Sequence, residues 1–409
     1  MKSLSPFRFL ILSLLLATTA ATAPSLAARK DGKDAAPRAA AVTAAPAGRP
    51  VIDTSARNAF AIDFVTGAVL LDKGGDDRIP TASMSKIMTA YVVYTYLQEG
   101  RAKLDDMLPV SEHAWRTGLS ENQSRMFVPI GGQVKIEDLL RGVIVQSGND
   151  ACVVLAEGLA GSEGAFVEKM NEVAEKIGLT NSHFANVHGL PAPDHYMSPR
   201  DLATLSRRLI QDFPQYYRYE AEKEFTYNGV KQGNRNPLLY RNVGADGIKT
   251  GHTEEAGYGL VGSAIRNGRR VIFVLSGMGS LKERDVESEK VLEWAYREFN
   301  DYTIGKAGEP IDEAPVWLGA HARVPAAPAA DLVVTLPRSA RRELKVMAVY
   351  DGAVKAPVTK GQPVGKLVVT APDTDTIEAP LVATQAVDRL DAFSRVGVAA
   401  GYLLLGHKN

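Results

Sequence analysis

The order of its patterned segments limits this chain most. Two strand-like segments, 58–63 and 68–72, precede a long helical stretch, and four more follow it at 224–227, 247–250, 257–263 and 270–276. Helical spacing marks 83–97, 134–145, 151–159, 165–177, 199–210 and 286–299. Strands, helices, then strands and a closing helix predict an α+β fold: an antiparallel sheet flanked by helices, with a helical subdomain inserted. A single cysteine, Cys152, excludes an internal disulfide and any cysteine-rich metal site, so packed cores must hold the fold.

At 409 residues the chain exceeds what one core usually organises, so two domains with appendages are expected. Lys+Arg and Asp+Glu each number 47, so no global field draws the protein to nucleic acid. Residues 1–27 read as a secretory signal: Lys2 and Arg8, a short apolar run, then Ser25-Leu26-Ala27 before Ala28. Residues 28–50, rich in Ala and Pro, are too poor in large apolar side chains to offset their ordering entropy and read as a linker. The main domain is expected over 51–300. Strand-like runs at 331–336, 343–350, 365–369 and 377–383 predict a small all-β domain over 301–385. The tail, 386–409, has helical spacing over 388–405, with Leu390, Phe393, Val396 and Leu403 near one face.

Three short segments carry chemistry. Ser83-Met84-Ser85-Lys86 opens the first apolar helix, where unpaired N–H groups stabilise negative charge. Lys86 lies one turn deeper on the same face, and burial lowers its pKa so that a neutral amine takes the Ser83 proton. Alternatively, Ser83 is an N-cap and Lys86 a snorkelling side chain. Ser147-Gly148-Asn149 falls between two helices, with Ser147 in place to relay a proton between Lys86 and a leaving group and Asn149 to hold a substrate amide. A plain helix–helix turn is the alternative. Lys249-Thr250-Gly251 ends a strand: Lys249 and Gly251 face one way, Thr250 the other, and a cation beside a hydroxyl suits a terminal carboxylate. A hairpin turn fits that tripeptide too. The order of all three, each on a suitable element, favours the catalytic reading over chance.

S-x-x-K, S-G-N and K-T-G in this order resemble the penicillin-recognising serine acyl transferases. The flanks, Thr81 to Thr89, Gln146 to Cys152 and Asp246 to Thr253, resemble the D-alanyl-D-alanine carboxypeptidase family among the low-molecular-mass penicillin-binding proteins. Segments 186–190 and 232–236 look like family segments as well. The resemblance implies a β-lactamase/transpeptidase-like catalytic domain, a sandwich-like β domain and an amphipathic C-terminal membrane anchor. It implies that Ser83 attacks the penultimate D-Ala carbonyl, with Lys86 as base and the N–H groups of Ser83 and His252 as oxyanion hole. Arg235 and Arg284 match basic family positions near the substrate carboxylate. Peptidoglycan stem peptides ending in D-Ala-D-Ala are the implied substrates, penicillins the implied inhibitors, and no metal or organic cofactor is implied. With the signal sequence, this predicts a periplasmic protein attached peripherally to the outer face of the inner membrane.

Other readings differ by identifiable features. A class A β-lactamase needs a deacylating glutamate, and the stretch around His188-Gly189-Leu190 has none. A D,D-endopeptidase differs only in its leaving group. An inactive cell-wall-binding scaffold would not need Ser83, Lys86, Ser147 and Lys249 intact. His188 reads as a turn histidine or a site-lining one. Cys152 reads as a buried, inert thiol. The tail helix, with balanced charges, either lies on a membrane or docks on its own domain.

Overall fold

The computed structural model describes residues 50–119 and 123–405, with the backbone alone at 398–399 and 401–405. The expected signal at 1–27 and all but the last residue of the linker lie outside the described residues. The chain forms β1 (Asn58–Asp63), β2 (Val69–Lys73), α1 (Lys86–Gln98), β3 (Met107–Pro109), α2 (Glu112–Thr117), β4 (Gln133–Lys135), α3 (Ile136–Ile144), α4 (Asn149–Ala160), α5 (Glu163–Lys176), α6 (Pro199–Asp212), β5 (Glu224–Tyr227), β6 (Val230–Gly233), β7 (Ala245–Thr253), β8 (Gly257–Arg266), β9 (Arg269–Met278) and α7 (Leu281–Glu298). A single 3-10 turn, Ala82–Ser85, leads into α1.

Strand alternation sorts the side chains of the central sheet into two cores. The sheet has the order β2-β1-β9-β8-β7 and is antiparallel throughout. Ala59 and Ala61 of β1, with Val271, Phe273 and Leu275 of β9, pack with Val291, Leu292 and Ala295 of α7. Phe60, Ile62, Ile272 and Val274 belong to the other core, with α1 and the inserted helices. Sheet and insert therefore meet at α1, which is buried over eleven of its thirteen residues and accordingly shows no polar stripe. The inserted helices are held at their starts by local chemistry: Ser111, Ser162 and Ser198 each accept the N–H three residues on, at the heads of α2, α5 and α6. Each such cap contributes about 1 kcal/mol.

The expected α+β architecture is present, and the differences are local. Ser83 lies in the 3-10 turn, outside the α-helix that the spacing predicts from 83; α1 proper starts at Lys86. Helix α7 ends at Glu298, and the chain turns straight into β10 (Phe299–Gly305), so the expected 300/301 boundary falls inside a strand. Then come β11 (Asp312–Trp317), β12 (Arg323–Pro328), β13 (Leu332–Pro337), β14 (Lys345–Val349), β15 (Val354–Lys355), β16 (Pro363–Thr370) and β17 (Ile377–Ala383). A two-stranded sheet, β10-β13, shares one core with a six-stranded sheet of order β14-β16-β17-β12-β11-β15. Strands β11 and β12 escaped the sequence reading because their prolines, Pro315, Pro325 and Pro328, look like turn residues.

The tail helix, α8 (Ala392–Leu405), starts four residues after the helical spacing expected over 388–405 and ends with it; residues 406–409 of the expected anchor lie outside the described residues. Its start is held by Asp391, whose carboxylate accepts the N–H groups of Phe393 and Ser394. Phe393 and Val396 are exposed. Among the described residues, no helix is long and apolar enough to cross a membrane.

Candidate active site

The turn before α1 is built under constraint. Ala82 has φ +47°, a left-handed conformation that alanine adopts at a cost of about 1–2 kcal/mol. It turns the half-buried Ser83 so that its Oγ lies 2.9 Å from Lys86 Nζ. Lys86 is buried, and its Nζ also donates to Asn149 Oδ1 at 2.7 Å and to the His188 carbonyl at 2.5 Å. An ammonium has three protons, and these three acceptors use all of them. Burial pulls the Lys86 pKa down to about 8; Arg235 pushes the same way, while Asp150 opposes. A neutral amine in the same place keeps two N–H bonds and turns its lone pair toward Ser83 Oγ, the geometry a base requires.

The His188 carbonyl is fixed by its own loop. Asn186 Oδ1 accepts the N–H of Gly189 at 2.7 Å, and Asn186 Nδ2 donates to the Leu190 carbonyl at 2.9 Å. The His188 ring accepts the Leu190 N–H and is kept neutral: burial, and then Lys86, pull its pKa down to about 3. Its side chain is thus a turn element, while its backbone oxygen belongs to the site. A backbone acceptor has no side-chain signature, so sequence reasoning had no means of finding it.

The second segment sits at the start of α4. Ser147 has φ +60°, and Gly148 lies so close to Met126 that an added Cβ would stand 2.9 Å from its backbone nitrogen. Asn149 is buried with both amide ends engaged: Oδ1 takes Lys86 and Nδ2 donates to Gln123 Oε1 at 3.2 Å. It orients the lysine, a role not expected of it from the sequence. Ser147 Oγ accepts from Lys249 Nζ at 3.0 Å, not from Lys86. Asp150, not singled out from the sequence, accepts the N–H groups of Met126, Phe127, Val128 and Ala151 and so braces the strip beside the site. Cys152 is buried, its thiol pushed up to about 12 by burial, as an inert thiol should be.

The third segment lies within β7, paired with β8. Gly251 faces the Ala82–Ser85 turn: an added Cβ would stand 2.7 Å from the Thr81 carbonyl oxygen and 3.2 Å from Ala82 Cβ. Lys249, two residues earlier on the same face, reaches Ser147. Both Lys249 and Thr250 are buried, whereas His252 is exposed, its ring stacked on Tyr258 at 3.9 Å. Burial, then Lys86 and Arg235, hold the Lys249 pKa well below that of a free lysine. Glu220, behind the strand, is fully buried and pushed up to about 8 by burial. An incoming carboxylate would supply the negative charge Lys249 lacks. Arg235 is exposed and donates to Ser124 Oγ at 2.5 Å. Arg284 is buried and donates to the Arg235 carbonyl at 3.0 Å, so it supports the Arg235 backbone.

Three segments far apart in sequence thus close one site through two contacts, Lys86 to Asn149 and Lys249 to Ser147. Residues 41–279 match the D-alanyl-D-alanine carboxypeptidase family, and 299–389 match the C-terminal domain of penicillin-binding protein 5. The chain is 40% identical to the D-alanyl-D-alanine carboxypeptidase DacA of Escherichia coli K12, across 85% of this chain and 87% of that one. It is similar to the crystal structure of penicillin binding protein 5 from Haemophilus influenzae, with a TM-score of 0.76, 38% identity, and coverage of 84% of this chain and 100% of that one. The ampicillin-bound penicillin-binding protein D2 of Listeria monocytogenes matches with a TM-score of 0.54 and 28% identity, over 60% of this chain and 99% of that one. The site that three separate segments assemble here therefore sits in a chain that belongs to the D-alanyl-D-alanine carboxypeptidase family of serine peptidases.

Proposed function

We propose that this serine D,D-carboxypeptidase removes the terminal D-Ala from peptidoglycan stem peptides through an acyl-enzyme at Ser83. The observation that carries this reading is the triple contact of Lys86 Nζ with Ser83 Oγ, Asn149 Oδ1 and the His188 carbonyl. Lys86, as neutral amine, takes the Ser83 proton while Oγ attacks the penultimate D-Ala carbonyl carbon. The N–H groups of Ser83 and His252 receive the oxyanion. Lys249, Thr250 and Arg235 bind the terminal carboxylate, and Gly251 leaves room for the substrate backbone beside β7. Ser147, held by Lys249, relays the proton that Lys86 took from Ser83 to the departing D-Ala nitrogen, which returns Lys86 to its neutral amine. Water then attacks the ester with Lys86 again as base. A β-lactam presents the same acyl carbonyl beside a carboxylate, so penicillins acylate Ser83 and inhibit.

Product analysis tests the leaving group. Mass spectrometry after incubation with a pentapeptide ending in D-Ala-D-Ala is expected to show tetrapeptide and free D-Ala. Cross-linked muropeptide is expected to turn over far more slowly. Cleavage of the cross-link at an equal rate would assign a D,D-endopeptidase instead.

Two segments near the ends of the chain support a reading of the site's position in the cell. The signal pattern at 1–27 supports export to the periplasm, and α8, with Phe393 and Val396 exposed, supports peripheral attachment to the inner membrane. Deleting residues 389–409 is expected to leave hydrolysis unchanged and to move the protein from the membrane fraction to the soluble one. A truncated protein that still sediments with membranes would refute attachment through α8.

A further inference from the structure

The nucleophile turn is tied from behind by a buried chain of hydrogen bonds that the reaction itself does not use. His195, on the loop before α6, is buried. Its Nδ1 accepts the Ala185 N–H at 3.1 Å, which fixes the proton on Nε2. Nε2–H therefore donates to Ser85 Oγ, 2.7 Å away. Ser85 donates onward to the Ala82 carbonyl at 3.2 Å. The remaining Ser85 lone pair takes the Thr81 hydroxyl at 2.5 Å. With its one proton on the Ala82 carbonyl, Ser85 has every donor and acceptor used, and the Ala185 N–H at the far end sets the direction of the His195–Ser85 bond.

The end point of this chain is the strained residue. Ala82 holds φ +47° directly before Ser83, and its carbonyl is the group Ser85 grips. A left-handed alanine persists only where its surroundings over-determine it. Two glycines supply part of that confinement: Gly189 packs on the Ala82 carbonyl, and Gly251 on the Thr81 carbonyl. These are steric walls, and walls alone do not fix rotation about the turn. The Ser85 bond to the Ala82 carbonyl does, and Ser85 is oriented by His195.

We infer that His195 is a positioning residue which, through Ser85, locks Ala82 and thereby aims Ser83 Oγ at Lys86. The inference rests on Ser83 being the nucleophile. The His195 ring carries no charge in the working range, because burial, and then His183 and Lys86, pull its pKa down to about 4. Its contribution is geometric. A glutamine at 195 extends an N–H donor to where Nε2 stands, whereas an asparagine reaches only as far as Nδ1.

Acylation by fluorescent penicillin, followed on the peptide that carries Ser83 and normalised to folded protein by circular dichroism, tests this. H195N is expected to slow acylation at least about tenfold, the scale of a sub-ångström misplacement of a reacting atom. Substrate KM and the pH midpoint of the rate should not move, and H195Q should recover most of the loss. S85A should reproduce the H195N defect, and the double variant should be no worse than either. Wild-type acylation by H195N, a shifted pH midpoint, or additive losses in the double variant would overturn the inference. If H195N does not fold, S85A carries the test alone: a tenfold loss supports the lock, and a wild-type rate refutes it. A wild-type protein that acylates elsewhere than on Ser83 would instead overturn the underlying reading.

Discussion

Lys86→Met is expected to lower the rate of Ser83 acylation by roughly 10⁴-fold, the scale seen when the base of a nucleophile–base pair is removed. The protein should still fold. The native state pays for a charged amine at Lys86: with its pKa lowered from 10.5 to about 8, the charged form costs about 3 kcal/mol at neutral pH. Methionine removes that cost but strands the buried Asn149 Oδ1 and the His188 carbonyl, at about 1–3 kcal/mol each. The two effects oppose each other, so a large loss of activity comes with a small change in stability. In the wild type, proton binding sets the sign of the pH dependence. Between pH 8 and 10.5 the unfolded lysine holds a proton that the folded one has lost, so this group adds stability as pH rises through that window. The same shift makes acylation climb about tenfold between pH 7 and 9, with its midpoint at about 8. Stopped-flow labelling across pH, beside thermal melts of both proteins, checks all three expectations.

Gly189→Ala is expected to be the most damaging single methyl group near the site. Its Cβ would stand 2.0 Å from the Ala82 carbonyl oxygen and 2.7 Å from the carbonyl carbon, atoms of a backbone with nowhere to retreat. Residue 189 also has φ +82°. Left-handed strain and overpacking together should cost about 3 kcal/mol or more. Whatever folds should acylate at least about a hundredfold more slowly, because the nucleophile turn and the loop bearing the His188 carbonyl are pushed apart. Gly178→Ala is the control: its φ is +81°, but nothing lies within 4 Å of the added methyl. The difference between the two variants, read from melting temperature and labelling rate, isolates the contact from the backbone penalty. Equal losses would show that the contact contributes nothing.

Both variants touch features of unequal visibility in the sequence. Ser83, Lys86, Ser147, Asn149 and Lys249 were legible because their side chains carry the chemistry and recur in a fixed order. Their pairing was not. The sequence offered Ser147 as a relay for the Lys86 proton but did not show that Lys249 holds its hydroxyl, while Asn149 takes the lysine of the first segment. Spacing along a chain cannot tell which of two lysines crosses a gap. The sequence offered His188 as a turn or site-lining histidine and Gly189 only within a family-like segment; how they act was not legible, since one acts through a carbonyl and the other through the absence of a side chain. Asp150 and Glu220 were invisible because a buried carboxylate and a solvated one share the same letter. Arg284 was legible as a basic residue but not as a buried one.

The fold followed the same rule. Strands β1, β5 and β17 begin and end where their alternation predicts, because period 2 is written directly in their residues. Strands β11 and β12 were hidden by proline, and the first residue of β10 was read as the end of α7 because Trp294, Ala295 and Phe299 continue a helical spacing into a residue that belongs to the next sheet.

The most direct test of the account is peptide mass spectrometry after brief exposure of the protein to penicillin. A single adduct with the mass of the intact β-lactam is predicted on the peptide carrying Ser83, and no adduct anywhere in Ser83→Ala. An adduct on Ser147, or labelling that survives Ser83→Ala, would contradict it.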